Sequence, residues 1–267
     1  MFKDRSWNFV NSGLMLGIHL AALSALFMPI QKFYFILFFV HYVWFGYSSS
    51  LYYHRCLTHR SFEISTPLHI FFLLGGLIGL GGDPISWVAI HRYHHAHADQ
   101  DDDAHSPQKG FWYAYLLWQM KMDMKQIQLW QKACDDLRKF WFIRLAQGNL
   151  PTLIVHSIYA LMIYHLFGGA ALLFGFYLPL VLSYQFFWML IASLCHHSKF
   201  GVRAANTKDQ SRNIWWLGPF SFGESFHNNH HEMPKKLRVG KRWFEWDLTA
   251  RTVELLESIG LAKSIVR

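Results

Sequence analysis

The residues best equipped for chemistry in this chain are histidines in three tight clusters: His54-Arg-Cys-Leu-Thr-His59, His91-Arg-Tyr-His94-His95 and His227-Asn-Asn-His230-His231. A further pair, His196-His197, closes an apolar run. The neutral imidazole nitrogen is the commonest protein ligand for metals. In the second and third clusters, positions i, i+3 and i+4 share one helical face, so His91 can act together with His94 or His95, and His227 with His230 or His231. His54 and His59 stand five residues apart, about 140° around an ideal helix, and suit one ion only where the helix ends or unwinds. The clusters supply eight histidines and His196 a ninth, with His197 as a rival. A closed structural zinc site needs four ligands, so nine imidazoles imply two ions.

Imidazole suits zinc, copper, iron and nickel. Open positions on two redox-active irons are the functional reading; zinc, which binds such ligands more tightly than Fe²⁺, can occupy the site in overexpressed protein. Soluble di-iron bundles repeat Glu-x-x-His, and here only Glu224-x-x-His227 fits. The metalloprotease pattern H-E-x-x-H is absent, because His231-Glu232 is followed by Met-Pro-Lys. Asp99, Asp101, Asp102, Asp103, Glu224 and Glu232 flank the clusters and are candidates to orient ligand imidazoles, with a solvated acidic loop as the plainer reading. Lone histidines at 19, 41, 69, 156 and 165 read as structural.

The elements that must carry these residues are strongly apolar. The chain is 52% hydrophobic and only 16% charged, against roughly 25% charged in soluble domains. Four stretches are long enough to cross a bilayer: about Ser12 to Met28, Phe33 to Tyr53, Leu150 to Phe167 and Leu172 to Leu194. The first, lacking a small-residue cleavage site, reads as a span and not a removable signal. Leu68 to Leu80 is shorter and glycine-rich, and reads as interfacial or re-entrant. The turns between paired spans hold only Lys32, while the middle and C-terminal segments hold most of the remaining Lys and Arg. The positive-inside rule then places both termini and all four histidine groups on the cytoplasmic face. Gln126 to Phe140 and Trp243 to Leu261 read as amphipathic cytoplasmic helices. The expected fold is an all-α integral membrane protein, one domain over residues 1–267, with four transmembrane helices and a cytoplasmic helical cap.

The net charge of +8 fits an anionic membrane surface. No nucleic-acid motif accompanies it, so no nucleic-acid partner is expected. Cys56, Cys134 and Cys195 are scattered, with no C-x-x-C, and read as small apolar fillers.

With H-x-x-x-x-H, H-R-x-H-H and H-N-x-H-H in this order between four spans, the chain resembles the membrane fatty acyl desaturases of the stearoyl-CoA desaturase type. The resemblance runs from the second span to the last helix and includes Trp87 before the second cluster, Asp99 to Pro107 after it, and Gly223-Glu-Ser-Phe before the third. It implies one iron on His54, His59, His91, His95 and His230, and another on His94, His196, His227 and His231. The family pattern N-S-x-x-H reads Ala192-Ser-Leu-Cys-His196 here; where relatives use the Asn through a water, Ala192 has nothing to offer. The acyl-CoA branch carries an Arg-Asp pair just before the second cluster, whereas this chain has Ala89-Ile90, as in bacterial and lipid-acting relatives.

The resemblance further implies an O₂-dependent enzyme that inserts a cis double bond, at the delta-9 position, into a CoA- or lipid-linked acyl chain. It implies a bacterial inner-membrane location and a separate electron donor of ferredoxin, rubredoxin or cytochrome b5 type. Lys235, Lys236, Arg238, Lys241 and Arg242 form a basic run that can face such a donor or anionic lipid. Trp87, Tyr42, Trp44, Tyr184 and Trp188 are candidates to line an acyl tunnel, and Phe45 and Phe187 accompany them. A di-iron hydroxylase of acyl, alkane or carotenoid substrates is the near rival. A metal transporter is disfavoured, because its ionisable groups belong deep inside the spans.

Overall fold

The computed structural model describes residues 7–267, and the side chain of Trp188 lies outside the described residues. The chain is mostly helical; two short strands, Glu63–Ile64 and Ala262–Lys263, pair antiparallel and tie the C-terminus to the loop after the first histidine cluster.

Helix α1, Phe9–Ser24, starts where the Asn8 side chain accepts the backbone N–H of Asn11. Helix α2, Lys32–Tyr47, continues without a break into a π-helical stretch, Ser48–Thr58. The expected second span stopped before His54, but the helix carries on through it and ends at His59. A later helical stretch begins at Asn149 and is broken at Gly168, whose φ of 83° and ψ of 173° are open to glycine. There the chain reverses. The rings of His156 and Phe176 lie 5.4 Å apart, although a straight helix would separate them by about 30 Å. The returning leg, ending at Leu194, runs beside α2: Phe167 meets Phe33 near the turn, and the Gly175 carbonyl meets His41 Nδ1 at 2.7 Å.

Among the described residues, Phe9–Phe27 and Asn149–Leu194 are long and apolar enough to cross a membrane. Leu16, Leu20, Ile158 and Leu161 on these legs, with Ile36 and Phe39 on α2, are all exposed. Such a belt of large apolar side chains marks an apolar surrounding or partner.

Helix α3, Thr66–Ile78, is about 20 Å long, short of the roughly 30 Å hydrocarbon core. Its glycines let it lie against the π-helical stretch. A Cβ at Gly75 would stand 2.2 Å from Ser48 Oγ. Helix α4, Pro84–His97, starts at Asp83, which caps Ile85 N–H, with Pro84 in the first turn.

Two expected cap helices are shorter than their patterns suggested. The first is helical only over Met124–Trp130, followed by a 3-10 turn and bends to Phe140. Arg92 and Arg138 take the carbonyls of Ala133 and Gln131, which a continuing helix would have bonded itself. The second starts only at Leu248, because Asp247 caps Ala250 N–H while Glu245 gathers the N–H groups of Lys241 and Arg242 in a turn.

Candidate metal centre

The π-helical stretch resolves the awkward spacing of the first cluster. Its hydrogen bonds run i to i+5, as in His59 N–H to the His54 carbonyl at 3.2 Å. Residues five apart then stack on one side, and the His54 and His59 rings lie 4.8 Å apart. In α4, His91 and His95 are one turn apart and their Nε2 atoms meet at 3.1 Å, while His94 faces away. The third cluster forms a short helix, His227–Glu232, that pairs His227 with His231 at 3.0 Å and sends His230 the other way. His230 Nε2 lies 3.0 Å from both His54 Nε2 and His95 Nε2.

Nine histidines thus gather into two adjoining groups. His54, His59, His91, His95 and His230 form one; His94, His196, His227 and His231 form the other. Within each, the candidate ligand atoms lie within 4.8 Å of one another. The groups touch where His95 stacks on His231, centroids 4.4 Å apart. His197 joins neither: its ring packs on Phe111 and Phe200, and its Nδ1 accepts the Lys199 N–H.

Four rings are held from behind by carboxylates. His54 Nδ1 meets Glu224 at 2.5 Å, His94 Nδ1 meets Asp103 at 3.0 Å, His196 Nδ1 meets Asp99 at 3.1 Å and His231 Nδ1 meets Asp209 at 2.9 Å. Such a contact fixes the tautomer with the proton on Nδ1 and leaves Nε2 free to bind a metal. Of the flanking acids expected to do this, Asp99, Asp103 and Glu224 do so. Asp101 takes no part; Asp102 bonds the Tyr93 hydroxyl and Glu232 pairs with Lys241. Asp209 was missed, lying 22 positions before His231 with no spacing to advertise it.

The buried Arg55, inside the first cluster, ties this scaffold together. Its guanidinium lies 2.9 Å from both Glu224 and Asp247 and donates to the Leu237 carbonyl. The asparagines of the third cluster are structural as well. Asn228 Oδ1 accepts from Ala204 and Ala205 N–H, and Asn229 Nδ2 donates to the Val239 carbonyl.

The electrostatics favour neutral donors. Burial, reinforced by neighbouring imidazoles, pushes His59, His91, His95, His227, His230 and His231 well below the ordinary histidine pKa. Burial alone would raise Glu224, but Arg55 and His54 hold it down to about 2. The Nε2 atoms of His59, His94 and His196 are buried with no hydrogen-bond partner. Orphaned buried acceptors are costly, and convergence of several on one point is the arrangement a metal would satisfy. The donor set, all imidazole with carboxylates behind, fits iron or zinc.

Beside the groups lies a partly open cavity floored by His54, His91, His94 and His227 and walled by Phe187 and Ile191. Trp87 also lines a larger cleft that extends past Ile90, Trp118 and Tyr184 to α1. Trp87 and Tyr184 are therefore placed as expected of lining residues, and Phe187 joins them. Tyr42 and Trp44 line neither cavity: Tyr42 donates to the Phe220 carbonyl and Trp44 to that of Phe71, so both fasten neighbouring segments. Phe45 is packed under α3. The lone histidines 41, 69 and 156 are buried and bonded to carbonyl or hydroxyl groups, and the half-buried His19 likewise bonds the Met15 carbonyl. His165 is exposed and does not share the buried structural place of those at 41, 69 and 156. All three cysteines are buried and free.

The fatty acid desaturase family matches residues 7–254. Delta-9 acyl-lipid desaturase 2 of Arabidopsis thaliana is 35% identical over 99% of this chain and 86% of its own length. The sn-1 stearoyl-lipid 9-desaturase of Anabaena variabilis is 34% identical over 97% of this chain and 93% of its own length. Delta-9 acyl-lipid desaturase 1 of Arabidopsis thaliana is 39% identical over 80% of this chain and 68% of its own. With its histidines gathered as described and its length matched almost end to end, the chain belongs to the fatty acid desaturase family and is an oxidoreductase acting on fatty acyl chains.

Proposed function

We propose that this protein is a delta-9 acyl-lipid desaturase with two irons, one held by His54, His59, His91, His95 and His230 and the other by His94, His196, His227 and His231. The observation that carries this reading is the division of nine buried or half-buried imidazoles into five and four beside a cavity walled by Phe187, Ile191 and Ala192. Bound irons would supply the oxidising chemistry, in which O₂, two electrons and two protons would be consumed as one hydrogen leaves each of two adjacent carbons, giving a double bond and two waters. The protein's own residues do the rest. Glu224, Asp103, Asp99 and Asp209 fix four ligand tautomers. Trp87, in contact with the His91 ring, sits where the two cavities meet and positions the acyl chain over the metals. Apolar walls exclude water from the reacting carbons.

A lipid-linked substrate is favoured by Ala89 and Ile90, which stand just before the second cluster where the acyl-CoA branch carries a charged pair, and by the acyl-lipid relatives. Four legs cross the bilayer: α1, the α2 helix, and the two arms that meet at Gly168. The histidine site and both termini face the cytoplasm, where most of the Lys and Arg lie. The electron donor is a separate small acidic protein of ferredoxin, rubredoxin or cytochrome b5 type, met by the basic segment around Lys235 to Arg242.

Expression in a host that supplies electrons should yield new monounsaturated chains, located by gas chromatography–mass spectrometry, and His230→Ala should abolish them. Unchanged lipids from folded, iron-loaded protein with a competent reductant would refute the reading. An oxygenated product would make the enzyme a hydroxylase.

A further inference from the structure

The two histidine groups are unequal, five against four. Two members of the smaller group, His94 and His227, line the same cavity as Ala192, whose methyl group neither donates nor accepts a hydrogen bond. The same cavity is lined by a tenth histidine, His105, from the loop after α4.

His105 is only 4% exposed, and its Nδ1 is buried with no hydrogen-bond partner. Its ring lies on that of His94, centroids 4.2 Å apart and tilted by 35°. Asp103 holds both: one oxygen faces His94 Nδ1 at 3.0 Å and the other accepts the His105 backbone N–H at 3.2 Å. His105 shares its cavity with His94 and His227 of the smaller group. It is not among the four whose ligand atoms all lie within 4.8 Å of one another, but a ligand atom of His105 lies within that distance of His94 and Asp103, close enough for a water to link it to an ion the four would share. A buried polar nitrogen left without a partner is costly, so retaining one beside a metal-binding group calls for an occupant.

We propose that His105 is a positioning residue that holds a water on the ion bound by His94, His196, His227 and His231, completing the coordination that four imidazoles leave open. The proposal rests on the two-ion reading above. It assigns to a loop histidine outside the three clusters a role that position 192 cannot fill.

The test uses full-length, metal-free protein in detergent, titrated with Co²⁺ against a competing chelator and followed by the visible absorption of the bound ion. The unsubstituted protein should take up two ions. His105→Ala should weaken one of them by about 10–100-fold, the usual loss when an outer contact to a metal site is removed, and change the spectrum of that ion alone. Adding Ala192→Asn to His105→Ala supplies a new group to hold the water and should recover the affinity. His105→Ala protein that binds both ions with unchanged affinity and spectrum would overturn the proposal. Should His105→Ala fail to fold, His105→Phe fills the same slot without a donor or acceptor and must lose the same ion; retention of both would again overturn it. If the unsubstituted chain takes up fewer than two ions, the two-ion reading itself falls, and that failure shows before any substitution.

Discussion

Glu224→Gln is the substitution that most sharply tests how the scaffold controls the metal centre. One carboxylate oxygen faces Arg55 Nε and NH2 at 2.9 Å each and also takes the Ser50 hydroxyl; the other faces His54 Nδ1 at 2.5 Å. A glutamine has one acceptor and one donor end. If its oxygen stays on Arg55, its NH₂ meets His54 Nδ1, which must give up its proton, and the proton moves to Nε2, the atom aimed into the larger group. If the amide turns round, its NH₂ faces the buried guanidinium instead. The first arrangement costs metal affinity: about 10–100-fold, or about 1.4–2.7 kcal/mol, at the ion bound by His54. The second strands a buried cation on Asp247 alone, and its cost approaches the roughly 3 kcal/mol seen when a buried pair is broken. Metal titration of the purified variant, read beside its thermal midpoint, separates the two. Glu224→Gln protein with unchanged affinity at both ions and an unchanged midpoint would refute the claim that this carboxylate fixes the His54 tautomer.

Three further outcomes follow from the same structure. His197→Ala should leave metal content and product yield unchanged, because the ring packs on Phe111 and Phe200 outside both groups; loss of an ion would show that it is a ligand after all. Gly75→Ala places a methyl 2.2 Å from Ser48 Oγ and should destabilise by about 1–3 kcal/mol, whereas Gly17→Ala, with nothing within 4 Å, should not lower the thermal midpoint. The metal-free protein should lose stability as the pH falls below about 6.5. Six histidines have folded-state pKa values well below the unfolded value, so the unfolded chain takes up protons first. Stability is then complete above that pH and is lost as the pH falls below it, and a midpoint that stays flat from about pH 7 to about pH 5 would contradict it.

The sequence by itself determined the chemistry. Imidazoles at i, i+3 and i+4 must share a helical face, and apolar runs of span length must form helices that bury or shield their backbone, so the clusters and the long legs were both legible. The short α3 was legible too, since its glycines and length ruled out a full crossing. Other features needed the tertiary structure, because they depend on residues far apart in the chain. Periodicity allowed His91 to act with either His94 or His95; the family resemblance implied a division, and the packing of α4 between the first and third clusters is its physical cause, with His95 in one group and His94 in the other. Five-residue spacing left His54 and His59 apart until the π-helical turn brought them together. Asp209, Arg55 and His105 carry no motif; each gains its place from a partner brought near by folding, respectively His231, Glu224 with Asp247, and His94. Local spacing sets which side chains can share a face, but burial and long-range packing decide which of them meet, and a metal centre is assembled by the second.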